Sequence, residues 1–218
     1  MKQFAVLGLG SFGRIVAQTL AEYGAPVIGI DRNRDNVESM RDIITQAVEA
    51  DVSDRNELMS LGLEGVDVAI ISLGDNIEGS VLATMFLNEL KIPQIIVKAV
   101  SPEHGKILKM LGATQVLFPE QDMAQRIAMT LVSPTILDHI PLVPGYSIVE
   151  YIAPRHFWGK TLLELNVRRE YGVEIIAIKS QETGNIRVIP SALDKIEKGD
   201  RLIIVGKDED IKKLREEE

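Results

Sequence analysis

The segment Phe4-Ala-Val-Leu-Gly8-Leu-Gly10-Ser-Phe-Gly13 constrains this chain more than any other. A short apolar run breaks into G-x-G-x-x-G, and a helical pattern follows at once. Each glycine has a physical reason. Gly8 allows a tight strand-to-helix turn, Gly10 leaves the backbone open to a pyrophosphate, and Gly13 lets the helix pack close to the strand. Ser11 and Phe12 lie between them, at the start of a helix whose N-terminus offers free N–H groups and partial positive charge to phosphates. A second apolar run, Pro26-Val-Ile-Gly-Ile30, ends in Asp31, eighteen residues after Gly13, where a ribose-binding carboxylate belongs. The plainer alternative is a structural turn followed by an unrelated acidic residue.

The pattern continues as alternating strands and helices. Strands are expected at Gln3–Leu7, Val27–Ile30, Gln46–Glu49, Val66–Ser72, Gln94–Val100 and Gln115–Phe118. Helices fall between them, the first over Gly10–Tyr23 with Phe12, Ile15, Val16, Thr19 and Leu20 at apolar spacing. Such alternation implies a parallel sheet with right-handed crossovers, a Rossmann-like doubly wound α/β fold. Over Glu120–Val132 one more helix carries Met123, Ile127 and Leu131 on one face. That stripe covers either its own domain or, as a crossover helix, a second subunit. Pro134, Pro141 and Pro144 then mark a linker. From about Tyr146 the signals are short strands, two Gly-containing turns and a closing helix at Asp208–Arg215, a second, smaller α+β domain. The expected division is residues 1–118, a crossover helix and linker over 119–140, and a regulatory or dimerisation domain over 141–218.

Composition excludes several function classes. The net charge of −8 argues against nucleic-acid or anionic-membrane binding. There is no cysteine for disulfides or thiolate metal sites, no secretory leader pattern, and no apolar run long enough to span a membrane. The expected location is therefore the cytoplasm. No catalytic nucleophile or metal motif is present, and His104, His139 and His156 read as ordinary surface or interface residues. A non-enzyme is expected, with an NAD-dependent oxidoreductase carrying a small accessory domain as the alternative.

Ligands of a doubly wound sheet bind beyond the C-terminal strand ends. Asp31 suits the ribose hydroxyls, Arg32 beside it could accommodate an extra phosphate, and Asn33 could reach ribose or base. Asp51, with Val52 next to it, suits an adenine amino group or is a turn residue. The backbone from Ser72 through Leu73, Gly74 and Asp75 to Asn76 should line the ligand, with capping of the next helix by Asp75 or Asn76 as the alternative. Lys98 either faces phosphates or is solvated. Glu120, beside Gln121 and Asp122, either meets a phosphate through a divalent cation or compensates the helix dipole.

In order along the chain, G-L-G-S-F-G at Gly8–Gly13, Asp31, V-A-I-I-S-L-G, V-K-A at Val97–Ala99, F-P-E-Q-D-M-A at Phe118–Ala124, Y-S-I-V-E at Tyr146–Glu150 and G-D-R-L-I-I-V-G at Gly199–Gly206 resemble the cytoplasmic regulatory subunit of Ktr/Trk potassium-uptake systems. The resemblance covers essentially the whole chain. It implies rings of eight, built as a tetramer of dimers beneath a membrane-spanning channel or transporter subunit. It also implies binding of ATP or ADP, or of NAD or NADH as in some relatives, with ligand exchange gating the channel. Gly8, Gly10, Gly13, Asp31, Asn33, Asp51 and Lys98 would hold the nucleotide. Glu120 would hold a cation such as Mg or Ca near the terminal phosphate, at a dimer interface. Arg168, Arg169 and Pro190 are candidates for a cyclic di-adenosine monophosphate site that some members carry. Ser11 stands where many such subunits have an arginine holding the terminal phosphate, and Arg14 is the nearest cation. That departure weakens an ATP preference and favours a dinucleotide.

Overall fold

The computed structural model describes residues 1–132 and 136–216, so Pro134 lies outside the described residues. The chain folds as two compact units, Met1–Pro119 and Glu120–Glu218. Along the first run β1 (Phe4–Leu7), α1 (Ser11–Glu22), β2 (Val27–Asp31), α2 (Arg34–Met40), β3 (Gln46–Glu49), α3 (Arg55–Ser60), β4 (Val68–Ile71), α4 (Ile77–Glu89), β5 (Gln94–Lys98), α5 (Pro102–Met110) and β6 (Gln115–Leu117). The six strands are parallel, in the order β3-β2-β1-β4-β5-β6. This is the expected doubly wound sheet, and its order reverses between β1 and β4.

Alternation decides which face each strand residue serves. Val6, Val68 and Ile70 pack under α1 and α2 with Ala17, Met40 and Ile44. Ala5, Leu7, Ala69 and Ile71 pack on the other face with Leu58, Phe86, Leu87 and Leu108 from α3, α4 and α5. Each fully buried Leu or Ile contributes about 1.5–3 kcal/mol relative to exposure. In α1 the buried positions are Gly13 and Ala17, whereas Ile15 is 64% exposed. The helix lies so close to the sheet that small residues take the contact line, and Ile15 rides outside the expected stripe.

The second unit begins with α6 (Pro119–Val132), then β7 (Ile136–Val143), β8 (Tyr146–Ile152), α7 (Leu162–Leu165), α8 (Val167–Tyr171), β9 (Glu174–Lys179), β10 (Ile186–Val188), β11 (Arg201–Lys207) and α9 (Asp208–Glu216). Its sheet is antiparallel, in the order β10-β9-β11-β8-β7. Val149, Tyr151, Ile178, Leu202 and Ile204 point into its core with Phe157, Ile211 and Leu214. The proline-marked linker expected at Pro141 and Pro144 is instead a strand and its hairpin. Pro141 lies in β7, an edge strand whose pairing shifts register between Pro141 and Val143, so the missing N–H is tolerated. Pro144 and Gly145, the latter at φ +82°, form the two-residue turn into β8. Nothing in the sequence pattern predicts α8, which follows α7 after a single residue, Asn166, in the left-handed conformation. Arg126 on α6 holds Asp138 on β7 through two hydrogen bonds of 2.7 and 2.6 Å. Met123, Ile127 and Leu131 on α6 are 51, 51 and 77% exposed.

His104 corrects the reading of the histidines as surface or interface residues, because it is 3% exposed. Ser101 caps α5 by accepting the His104 N–H at 3.1 Å. The ring then lies between helices, with Nε2 2.8 Å from Ser80 Oγ on α4 and Nδ1 accepting from the Val100 N–H at 3.4 Å. Ser80 Oγ donates to the Ile77 carbonyl, so the consistent tautomer is neutral, with its proton on Nε2. Burial holds the imidazole below its ordinary value. A depressed folded value stabilises the fold fully above the unfolded value near 6.5, and this contribution is lost as pH falls through that window. We expect the stability advantage of wild type over His104→Gln to narrow between pH 7 and pH 5. Denaturant unfolding at each pH measures it, and a constant difference would show that His104 does not titrate on unfolding.

Candidate functional site

The register of the three central strands assembles the site. Leu7 pairs with Ile30 on one side and Ile71 on the other. One residue further on, Gly8, Asp31 and Ser72 stand side by side at the switch point. The Gly8 N–H donates to Ile30 O and the Ser72 N–H to Leu7 O, both at 2.7 Å. Gly8 sits at φ +93°, and a Cβ there would lie 2.1 Å from Ser72 O. A Cβ on Gly13 would lie 1.9 Å from Gly8 O. Gly10 differs, since a Cβ there would meet nothing within 4 Å. Its space opens outward, and Gly10 supplies no side chain to cap α1. The α2 to α5 helices are each capped by a side chain, from Asn33, Asp54, Asn76 and Ser101.

Beyond the strand ends lies a cleft of about 230 Å³. It is lined by Gly8, Gly10, Ile30, Asp31, Arg32, Ala50, Asp51, Val52, Ser72, Leu73, Gly74 and Asn76. The Asp31 carboxylate accepts from the Leu9 N–H at 2.6 Å and the Asn33 N–H at 2.8 Å, which fastens the glycine turn to the end of β2. Asp51 begins a tight turn in which Oδ1 accepts from both the Ser53 hydroxyl and the Ser53 N–H. Those two bonds, with the Arg32 charge nearby, hold its carboxyl below the usual range. Asp51 is therefore an anion at neutral pH, suited to accept from an amino group. Asn76 does both of the things weighed for it, capping α4 through Gly79 at 2.9 Å and lining the cleft.

Ten of the residues expected from the sequence thus meet in one place: Gly8, Gly10, Asp31, Arg32, Asp51, Val52, Ser72, Leu73, Gly74 and Asn76. The others lie off its lining. Ser11 and Phe12 open α1, and Gly13 is a packing residue. Asn33 caps α2 by accepting the Asp35 N–H. Lys98 closes β5, and Glu120 lies in the first turn of α6, in the second unit. Ile30 and Ala50 were missed, although each is the apolar residue just before an expected acidic one. Among the described residues no group of three His, Asp or Glu side chains is placed to share a metal ion. In the second unit Arg168 and Pro190 share a cleft of about 280 Å³, with Arg168 paired to Glu174 at 3.0 Å, whereas Arg169 does not line it.

A glycine turn without side chains, the Asp31 carboxylate bonded to it and the acidic turn at Asp51 line one cleft at the switch point of a doubly wound domain. Comparison with known proteins agrees and adds the second unit. Residues 4–119 match the TrkA-N domain and residues 148–217 the TrkA-C domain. The chain is 41% identical to Ktr system potassium uptake protein A of Bacillus subtilis (strain 168), over 99% of this chain and 96% of that one. It is 39% identical to Ktr system potassium uptake protein C of the same organism, over 98% and 96%. The chain belongs to the Ktr/Trk potassium-uptake family. A structure of the GsuK channel bound to NAD superposes with a TM-score of 0.56 at 21% identity, covering 99% of this chain and 38% of that longer one.

Gly13 and Gly10 should separate by experiment. Gly13→Ala, with its Cβ driven into the Gly8 carbonyl, should cost about 3 kcal/mol of stability. Gly10→Ala should stay within about 0.5 kcal/mol of wild type yet lose nucleotide affinity. Denaturant unfolding and calorimetric titration of the same two variants measure this.

Proposed function

We propose that this family member is a nucleotide-sensing regulatory subunit of a potassium-uptake system and not an enzyme. One observation carries the reading: the switch-point cleft joins the bare backbone of Gly8 and Gly10 to Asp31 and Asp51. On this reading the glycine turn and the uncapped start of α1 hold phosphates. Asp31, helped by Asn33, takes the ribose, Asp51 and Val52 take adenine, and the Ser72–Gly74 backbone forms the other wall. Lys98 faces the phosphates, and Glu120 holds a divalent cation such as Mg or Ca near the terminal phosphate at a dimer interface. The names of the two Bacillus relatives support potassium uptake as the process, and the NAD-bound GsuK channel shares the fold. ATP, ADP and NAD or NADH are the ligand candidates, and Ser11 in place of an arginine favours ADP or a dinucleotide over ATP. The Arg168–Pro190 cleft is the corresponding place for a cyclic dinucleotide.

The mechanism is a population shift. A nucleotide changes the shape of an oligomer only if it binds one shape more tightly than another. The oligomer is a homodimer assembled into a ring of eight, and the exposed stripe of Met123, Ile127 and Leu131 supports burial of α6 in a dimer. The partner is a membrane-spanning potassium channel or transporter subunit, which holds the ring at the inner face of the membrane. Among the described residues no helix is long and apolar enough to cross a membrane. The net charge of −8 gives no support to a nucleic-acid partner.

Calorimetric titration of the full chain with ATP, ADP, NAD and NADH, with and without Mg or Ca, tests both parts. Binding of at least one of these nucleotides is expected, and binding of none would sink the reading. Discrimination between ATP and ADP should depend on the cation and should disappear in Glu120→Gln. If that variant keeps it, the role of Glu120 is wrong while the site stands.

A further inference from the structure

Among the described residues three hydrogen bonds reach the Asp31 carboxylate. Oδ1 accepts the Asn33 N–H at 2.8 Å. Oδ2 accepts the Leu9 N–H at 2.6 Å and the Asn36 side-chain amide at 3.2 Å. A carboxylate offers about four lone-pair sites, two on each oxygen. Oδ2 is therefore filled, and one site on Oδ1 remains. Asn36 lies in the first turn of α2, three residues beyond the cap, and its own helix has no use for its amide. The cap is already made by Asn33, whose Oδ1 accepts the Asp35 N–H at 2.8 Å. Asn36 instead reaches back to the end of β2. Leu9, on the other side of Asp31, is fixed twice. Its N–H goes to Oδ2, and its side chain, 1% exposed, lies so near Gly29 that a Cβ there would sit 3.0 Å from a Leu9 methyl.

We propose that Asn36 is a positioning residue of the nucleotide site. By holding Oδ2 of Asp31 on the Leu9 amide, it leaves Oδ1 as the oxygen offered to a ribose hydroxyl. The carboxylate torsion is broad, so without the Asn36 amide the carboxylate keeps its two backbone donors, one on each oxygen, but loses the side-chain donor that fixes its tilt and occupies the second site on Oδ2. Recognition of the ribose and the shape of the phosphate turn are thereby set by one four-residue network, in which Leu9, Asn33 and Asn36 all donate to Asp31. This rests on the nucleotide reading above and deepens it, because it assigns the sugar end of the ligand to a ribose with a free hydroxyl.

Titration of the full-length protein with ADP and with 2′,3′-dideoxy-ADP tests it. Wild type should prefer ADP by about tenfold or more, the usual worth of a hydrogen bond to a charged acceptor. In Asn36→Ala the preference should fall to within about threefold, as it should in Asp31→Ala. Asn36→Ser, which is too short to reach Oδ2, should behave like Asn36→Ala and serves if the alanine variant folds poorly. A residue that merely supports α2 would weaken both ligands equally and leave the preference intact, and that result overturns the proposal. So does a wild type that binds both ligands alike, although nucleotide binding would then still stand. If wild type binds neither ADP nor any other adenine nucleotide, both readings fall together.

Discussion

The approach of α1 to the end of β1 governs this structure. The Gly13 backbone lies against the Gly8 carbonyl with no room for a methyl group, and Gly8 lies equally tight against Ser72. Three consequences follow from these two contacts. The helix must present small residues, so Gly13 and Ala17 form its buried line. Gly8 is wedged between β2 and β4, its neighbours in the sheet, which brings Asp31 and Ser72 to its sides. The first turn of α1 is aimed across the gap where the strand order reverses. The cleft is a consequence of the packing rather than an addition to it.

Polar groups then fix what the packing leaves loose. Asp31 ties the turn to β2, Asp51 folds its own turn around Ser53, and Asn76 closes the start of α4. Each of these carboxylates and amides is bonded within the protein, so the fold itself holds the walls of the cleft. The second unit uses the same device in Asp200, which is 2% exposed and accepts the N–H groups of Gln181 and Glu197.

Much of this was legible in the sequence, because glycine spacing and apolar alternation report directly on backbone geometry. The parallel strands and the acidic residues after β2 and β3 could be read for that reason. What could not be read depends on neighbours distant in sequence. His104 stands among Pro102, Glu103 and Gly105, a polar setting that reads as surface, and its burial is made tolerable by Ser80 on α4 and the Val100 N–H, one on each ring nitrogen. Pro141 signals a break, yet an edge position and a register shift absorb it. Asn36 carried no signal, since an asparagine in a first turn reads as a local cap.

The order of the strands also has a consequence in time. The centre of the first sheet pairs β1 with β4, and Gln3 donates to Asp67 across 64 residues of chain. During synthesis the glycine turn, α1 and Asp31 emerge early, but the wall made by Ser72–Gly74 does not yet exist. The cleft comes into being only when the later strand docks beside the first. Any molecule that binds there would act as a clamp on a completed assembly, and its hold would report that the two strands at the sheet's centre have met.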